Sequence, residues 1–232
     1  MARCTAARSN APPPEKVTSE ITSKVVVTIS SNRSAARPTL WSSRAQARSA
    51  AAVITGASAD DVIEDDNGND AATSGNAYRS HSSKHGYWFV AQQQLTSHNG
   101  DATRGLNIAA NATFHDKDTN IVDNYQSLMF VYKGPFDARP KDDLGIGFAR
   151  IHVNDDVKKN AELVNASNGV SDYNDPLFSP LRDTEYNYEL NYGFHVTNWL
   201  TVRPNLQYIT HPGGVDEVDD ALVAGLKIQS VF

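Results

Sequence analysis

The chain has little of what usually betrays a function. It holds one cysteine, Cys4, and two methionines, and it has no uninterrupted apolar run long enough for a membrane helix. A single cysteine excludes an intrachain disulfide. Without an apolar run of membrane-helix length the chain is no helical membrane protein, but a membrane β-barrel stays possible, because alternation hides its apolar residues from a hydropathy average. Mean hydropathy is −0.47 with 40% hydrophobic residues, which is compatible with either a soluble sheet or a barrel. The opening "MARCTAARSNAPPPEKVTSE" carries basic residues without an apolar segment after them, so no export address is expected from it. No G-x-S-x-G, phosphate loop or dinucleotide fingerprint is present. His81, His85 and His98 lack metal-site spacing. "DDVIEDDNGND" (60–70) lacks the later Glu of a calcium loop and reads as a solvated loop with loose cation binding at most. Neither an enzyme, a cofactor nor a metal centre is expected.

Charge is distributed unevenly. Residues 1–58 contain six Arg and two Lys against two Glu, a balance of +6, so the rest carries −12 within a total of −6. This part is rich in Ala, Ser and Arg and shows neither a 2.0 nor a 3.6 period. It reads as an unstructured basic leader, with a boundary at Ala59. "KVVVTIS" (24–30) is β-prone but isolated. Basic leaders can meet nucleic acid or anionic lipid, but the acidic body argues against a nucleic-acid role.

The body, 59–232, is patterned with a period of two, the signature of strands with unlike faces. "EYNYELNYGFHV" sets Tyr186, Tyr188, Leu190, Tyr192, Phe194 and Val196 against Asn187, Glu189, Asn191, Gly193 and His195. "WLTVRPNLQY" sets Leu200, Val202, Leu206 and Tyr208 against Thr201, Arg203, Asn205 and Gln207. Pro204, which has no ladder donor, predicts a local irregularity there. "RGLNIAANATF" separates Leu106, Ile108 and Phe114 from Asn107 and Asn111, and the closing "DALVAGLKIQSVF" separates Leu222, Leu226, Ile228 and Phe232 from Lys227 and Gln229. With "SLMFVYK", "DLGIGFAR" and "YWFVAQQQL", whose facing is ambiguous, about seven strands are expected. Several reach about ten residues, the length of a tilted membrane strand. The "TN" link at 197–198 is short, whereas 153–184 reads as a long polar loop. Placing Phe232 on the periplasmic side puts the long loop outside and the short link inside, as membrane barrels require. Trp199, Phe232, Tyr186 and Phe114 sit near strand ends, where such barrels carry aromatic girdles. The alternative is a soluble β-sandwich that binds carbohydrate, with the apolar faces packed on each other.

The segments "YWFVAQQQL", "KGPFDARPKDDLGIGFARIHVN", "TEYNYELNYGFHVTNWLTVRPNLQYITHPGG" and "AGLKIQSVF" resemble the C-terminal part of the OprB family of carbohydrate-selective porins. The resemblance implies an all-β fold: an antiparallel transmembrane β-barrel of sixteen strands, of which this chain would hold an incomplete C-terminal portion. It implies facilitated diffusion of glucose-type sugars across the bacterial outer membrane, with sugars in transit, membrane lipid and the outer-membrane assembly machinery as partners and a homo-oligomer as one possible state. Seven strands cannot close such a barrel, so no pore is expected from the chain alone. Channel-lining candidates are Asn107, Asn111, Asn187, Glu189, Asn191, His195, Arg203, Asn205, Gln207, Lys227 and Gln229, because amides and charged groups exchange hydrogen bonds with sugar hydroxyls. Tyr188, Leu190, Tyr192, Leu206, Leu226 and Ile228 are expected to face lipid, with terminal Phe232 as the insertion signal.

Overall fold

The computed structural model describes residues 47–231; "KVVVTIS" and Phe232 lie outside them. The elements run in the order β1 (Ala47–Gly56), β2 (Ala59–Asp65), α1 (Ala71–Ser74), β3 (Tyr78–His81), β4 (Lys84–Gln94), β5 (Gly105–His115), β6 (Val122–Lys133), β7 (Asp143–Val153), α2 (Asp155–Asn168), β8 (Thr184–His195), β9 (Leu200–Thr210) and β10 (Ala221–Ser230). Eight strands form one antiparallel sheet ordered β1-β4-β5-β6-β7-β8-β9-β10, while β2 and β3 pair separately. The sheet is not closed: β1 and β10 are its two edges. Its strands are 10 to 12 residues long, about twice the usual length in soluble proteins.

Register assigns every side chain to a face, because directly opposed residues share one. One row runs Ile108–Phe130–Ile146–Leu190–Leu206–Ala224 across six strands. The next runs Ala110–Leu128–Phe148–Tyr188–Tyr208–Leu222. The opposite face carries the row Asn107–Val131–Gly145–Asn191–Asn205–Gly225 and the row Ala109–Met129–Gly147–Glu189–Gln207–Val223. The facing of "YWFVAQQQL" is thereby resolved. Tyr87 and Phe89 lie on the apolar side with Phe114 and Ala112, and Trp88, Val90 and Gln92 lie on the other.

Three expectations need correction. The sheet has eight strands rather than seven, because β1 falls inside the segment read as an unstructured leader. Its sequence, ARSAAAVITG, is built mostly of small residues, so its period of two has almost no hydrophobic contrast to reveal it. The acidic run 60–70 is not a plain solvated loop, since its first half is β2 and Asp65 is fully buried. The polar stretch 153–184 contains α2, capped by Asn154, whose side chain accepts from the Asp156 amide, and ended by Gly169 in the left-handed conformation. Asp155 and Asp156 in its first turn complement the helix dipole.

The irregularity expected at Pro204 is a gap in the pairing, without a shift of register. β8 and β9 pair from Tyr186↔Thr210 to Asn191↔Asn205 and resume at Phe194↔Val202 in the same register. Pro204 removes a donor without moving the strand.

The connections 57–83, 116–121, 154–183 and 211–220 gather at one end of the sheet and are latched to each other. The Val62 amide donates to the Asp118 carbonyl, and the Asp183 amide to the Gly214 carbonyl. Asn154, with no accessible surface, donates from Nδ2 to the carbonyls of Lys117 and Asn120. Lys158 Nζ meets Asp183 at 2.9 Å. At the opposite end Arg104 Nη2 donates to the Gly134 carbonyl at 2.7 Å, and Lys141 reaches Asn198.

Candidate functional site: the polar face of the sheet

The usual arrangement of a globular protein is inverted here. Among the described residues buried apolar side chains are few (Ile63, Ala71, Val153, Ala161 and Val215), and the three largest fully buried side chains are Asn154, Asp65 and Asp142. The large apolar residues are instead exposed. Leu222, Leu226 and Ile228 exceed 60% relative exposure, and Tyr188, Leu190 and Leu206 lie between 44% and 49%. Among the described residues no second sheet covers this face. The sandwich alternative, which requires those residues in a dry core, is not what the structure shows. Tyr192 shares the face but is half-buried against Phe136 and Phe194, with its hydroxyl donating to Asp142 at 2.8 Å. Burial disfavours the charged form of Asp142, but Arg139, the His195 amide and the Tyr192 hydroxyl outweigh it and hold the carboxyl below its usual range.

All eleven expected lining residues fall on the opposite, polar face by register. Five polar groups there form one connected ladder across three strands. Arg203 of β9 grips Asp143 of β7 with both terminal nitrogens, one at 2.9 Å, and donates to Asn191 Oδ1 at 2.9 Å. Asn191 Nδ2 donates to one Glu189 oxygen at 2.8 Å, and Gln207 Nε2 donates to the other at 2.8 Å. Asp143 was not expected to belong to the site: it sits in the turn-like "ARPKDDLG", which hid it. Its signal was the register, which places it opposite Gly193 and beside Arg203.

Glycine makes room for this ladder. A Cβ on Gly145 would meet the Asn191 amide at 2.7 Å, and one on Gly193 would meet Asp143 Oδ2 at 2.6 Å and Arg203 Nη2 at 2.8 Å. One on Gly225 would stand 2.1 Å from Asn205 Oδ1. The absent side chains let long polar groups lie flat along the sheet.

The other candidates are less connected. Asn107 Nδ2 donates to the Gly105 carbonyl at 3.1 Å, whereas Asn111 Oδ1 and His195 Nδ1 are buried without a partner. Asn187 makes no side-chain hydrogen bond within the described residues. Lys227 and Gln229 stand exposed on the edge strand, opposite Arg203 and Thr201. His81 pairs with Asp61 at 2.9 Å, and His98 lies between Tyr132 and Asp137. Among the described residues no group of three or more His, Cys, Asp or Glu side chains is arranged to hold a metal.

Comparison with known proteins agrees with this geometry. The sequence profile of the OprB family, described as carbohydrate-selective porins, matches residues 47–232. Porin B of Pseudomonas aeruginosa is 69% identical over 176 residues, covering 76% of this chain and 39% of that protein. Putative porin QuiX of Acinetobacter baylyi is 44% identical, covering 70% of this chain and 38% of its own. The chain thus spans about two fifths of the length of these relatives. The high-pH structure of Pseudomonas putida OprB superposes with a TM-score of 0.78 at 66% identity, covering 80% of this chain and 44% of that one. The match begins at Ala47, where β1 begins, and so includes part of the segment read as leader. From strand inversion, sheet topology and these matches, the chain belongs to the OprB family of carbohydrate-selective porins, proteins of the bacterial outer membrane.

Proposed function

We propose that the eight-stranded sheet is part of the wall of a pore that passes neutral sugars by facilitated diffusion, its apolar face against lipid and its polar face lining the channel. The observation that carries this is the inversion of polarity: exposed Leu, Ile and Tyr rows back onto a face of amides, Arg and Glu. Diffusion of this kind requires no nucleophile, base or metal. It needs hydrogen-bonding groups that bind weakly and release, and amides supply both donors and acceptors. The family's description and the names of the relatives support the same reading.

An open sheet has unpaired backbone groups along β1 and β10, which lipid cannot satisfy. Conduction therefore requires further strands on both edges, supplied by a longer polypeptide or by other copies. The outer-membrane assembly machinery fits as a partner, reading the alternating β10 and the terminal Phe232. Phe114, Phe194 and Trp199, all exposed near strand ends, suit the membrane interfaces.

The test is refolding of the chain from urea into detergent micelles. Gel mobility is then compared with and without boiling, and refolded protein is assayed for glucose-driven swelling of liposomes. A heat-sensitive band is the expected result, with swelling only where other copies or added strands complete the wall. A folded, detergent-independent soluble monomer would remove the membrane reading altogether.

A further inference from the structure

Resting on the pore reading, we propose that the trough over Gly147 and Ala149 on the polar face is a seat for one neutral hexose ring, sharing only Glu189 with the Arg203 ladder beside it. The trough has a volume of about 310 Å³ and is bounded by Tyr125, Ser127 and Met129 on β6 and by Glu185, Asn187 and Glu189 on β8. That volume lies at the small end of ligand pockets.

Gly147 differs from the other glycines of this face. At Gly145, Gly193 and Gly225 an added Cβ would collide with the ladder or with Asn205, so packing demands glycine there. At Gly147 the nearest atoms to an added Cβ are Glu189 Cβ at 3.8 Å and Met129 Cε at 3.9 Å. Packing would accept a side chain at Gly147, and what its absence creates is open floor. β6 and β8 stand two strand spacings apart, about 9.6 Å. That breadth admits a flat ring resting on glycine and alanine, with hydrogen-bonding groups on either side.

Those groups are unspent. Ser127 and Asn187 face each other across Ala149 in one row, and neither side chain is hydrogen-bonded within the described residues. Next in that row is Asn111, whose Oδ1 is buried without a partner. Glu189 accepts from Asn191 and Gln207 on its two oxygens, and each oxygen keeps a second lone-pair direction. The ladder also closes one end, with Asn191 lying over Gly145, while Tyr125 and Ile151 close the other.

The charges select among sugars. No Lys or Arg lines the trough, whereas Glu185 and Glu189 do. A neutral polyol can donate to both carboxylates, but a sugar phosphate would meet two like charges and no counter-ion. The seat therefore prefers free hexoses over phosphorylated ones.

The experiment uses the full chain refolded in detergent micelles, with saturation-transfer NMR against D-glucose and against glucose 6-phosphate. Transfer to glucose is expected, with at least tenfold less to the phosphate. Gly147→Leu, which fills the floor, should lower glucose transfer at least tenfold, and Asn187→Ala about threefold. The boiled and unboiled mobility comparison verifies that each variant is folded, and Asn187→Ala carries the test if Gly147→Leu does not fold. Equal transfer to glucose and its phosphate, or unchanged transfer in the folded variants, overturns the seat. Ion conductance measured in parallel separates the two readings. Conductance without glucose contact overturns the seat and leaves the pore, whereas glucose contact by a protein that stays a folded, soluble monomer without detergent overturns the pore reading and leaves the sugar contact standing.

Discussion

Asn154 gives the sharpest quantitative test of the loop end. It has no accessible surface, and its side chain does three things at once. Oδ1 caps α2 by accepting from the Asp156 amide at 3.1 Å, while Nδ2 donates to the carbonyls of Asn120 and Lys117. Truncation to Ala removes the cap, at about 1 kcal/mol, and leaves two carbonyls without their donor, at about 1 kcal/mol each. The expected total of about 3 kcal/mol corresponds to a rise of roughly a hundredfold in local opening. Amide hydrogen exchange, read by mass spectrometry on the chain in micelles, should show that rise in peptides covering α2 and 116–121. The eight-stranded sheet should be unaffected. Asn154→Ser keeps an acceptor for the cap but loses both donors, so it should recover about a third of the free energy. If Asn154→Ala changes exchange of α2 by less than threefold, the latch is not what holds the helix.

Three further outcomes follow from the same structure. Gly145→Ala, which drives a methyl group into the Asn191 amide, should destabilise the chain by about 1–3 kcal/mol; Gly147→Ala should cost far less, and midpoints of heat-modified gel mobility compare them. Leu190→Arg places a charge midway along an exposed apolar row and should cost about 2–4 kcal/mol in a bilayer, read as a urea midpoint; a negligible cost would mean that lipid does not touch this face. The Lys158 ammonium, then the Thr184 hydroxyl, hold the Asp183 carboxyl below its usual range, so its stabilisation is complete above about pH 4 and is lost as pH falls through the lower native value. The urea-midpoint difference between the wild type and Asp183→Asn should accordingly be flat near neutrality and vanish in acid.

Much of the sheet was legible because lipid and water impose opposite demands on successive residues. β8 and β9 alternate Tyr, Leu, Phe and Val with Asn, Glu and Gln, a contrast that fixes face as well as extent. β1 failed the same reading because Ala and Ser differ too little to display a period. α2 was hidden for another reason: Asn, Asp and Gly are turn formers in isolation, and "NDDVKKNAELVNASNG" uses them as caps. The lining candidates could be assigned to a face from parity alone. Their division into a self-satisfied ladder and unengaged amides could not, because it depends on which residues register brings opposite each other, with Asp143 the missing member.

On the proposed pore reading, the latches at the two ends of the sheet bear on the bore of the channel. A period of two cannot detect a slide of two residues, since every apolar side chain would still face lipid after it. Each such slide alters the cumulative stagger around a barrel, which together with strand number sets strand tilt and diameter. Here a slide of β7 against β8 would pull Asp142 away from the His195 amide, and a slide of β6 against β7 would take Asn154 from the Lys117 and Asn120 carbonyls. In the proposed pore, the width available to a solute would thus be held at the rims, by side chains that never meet it.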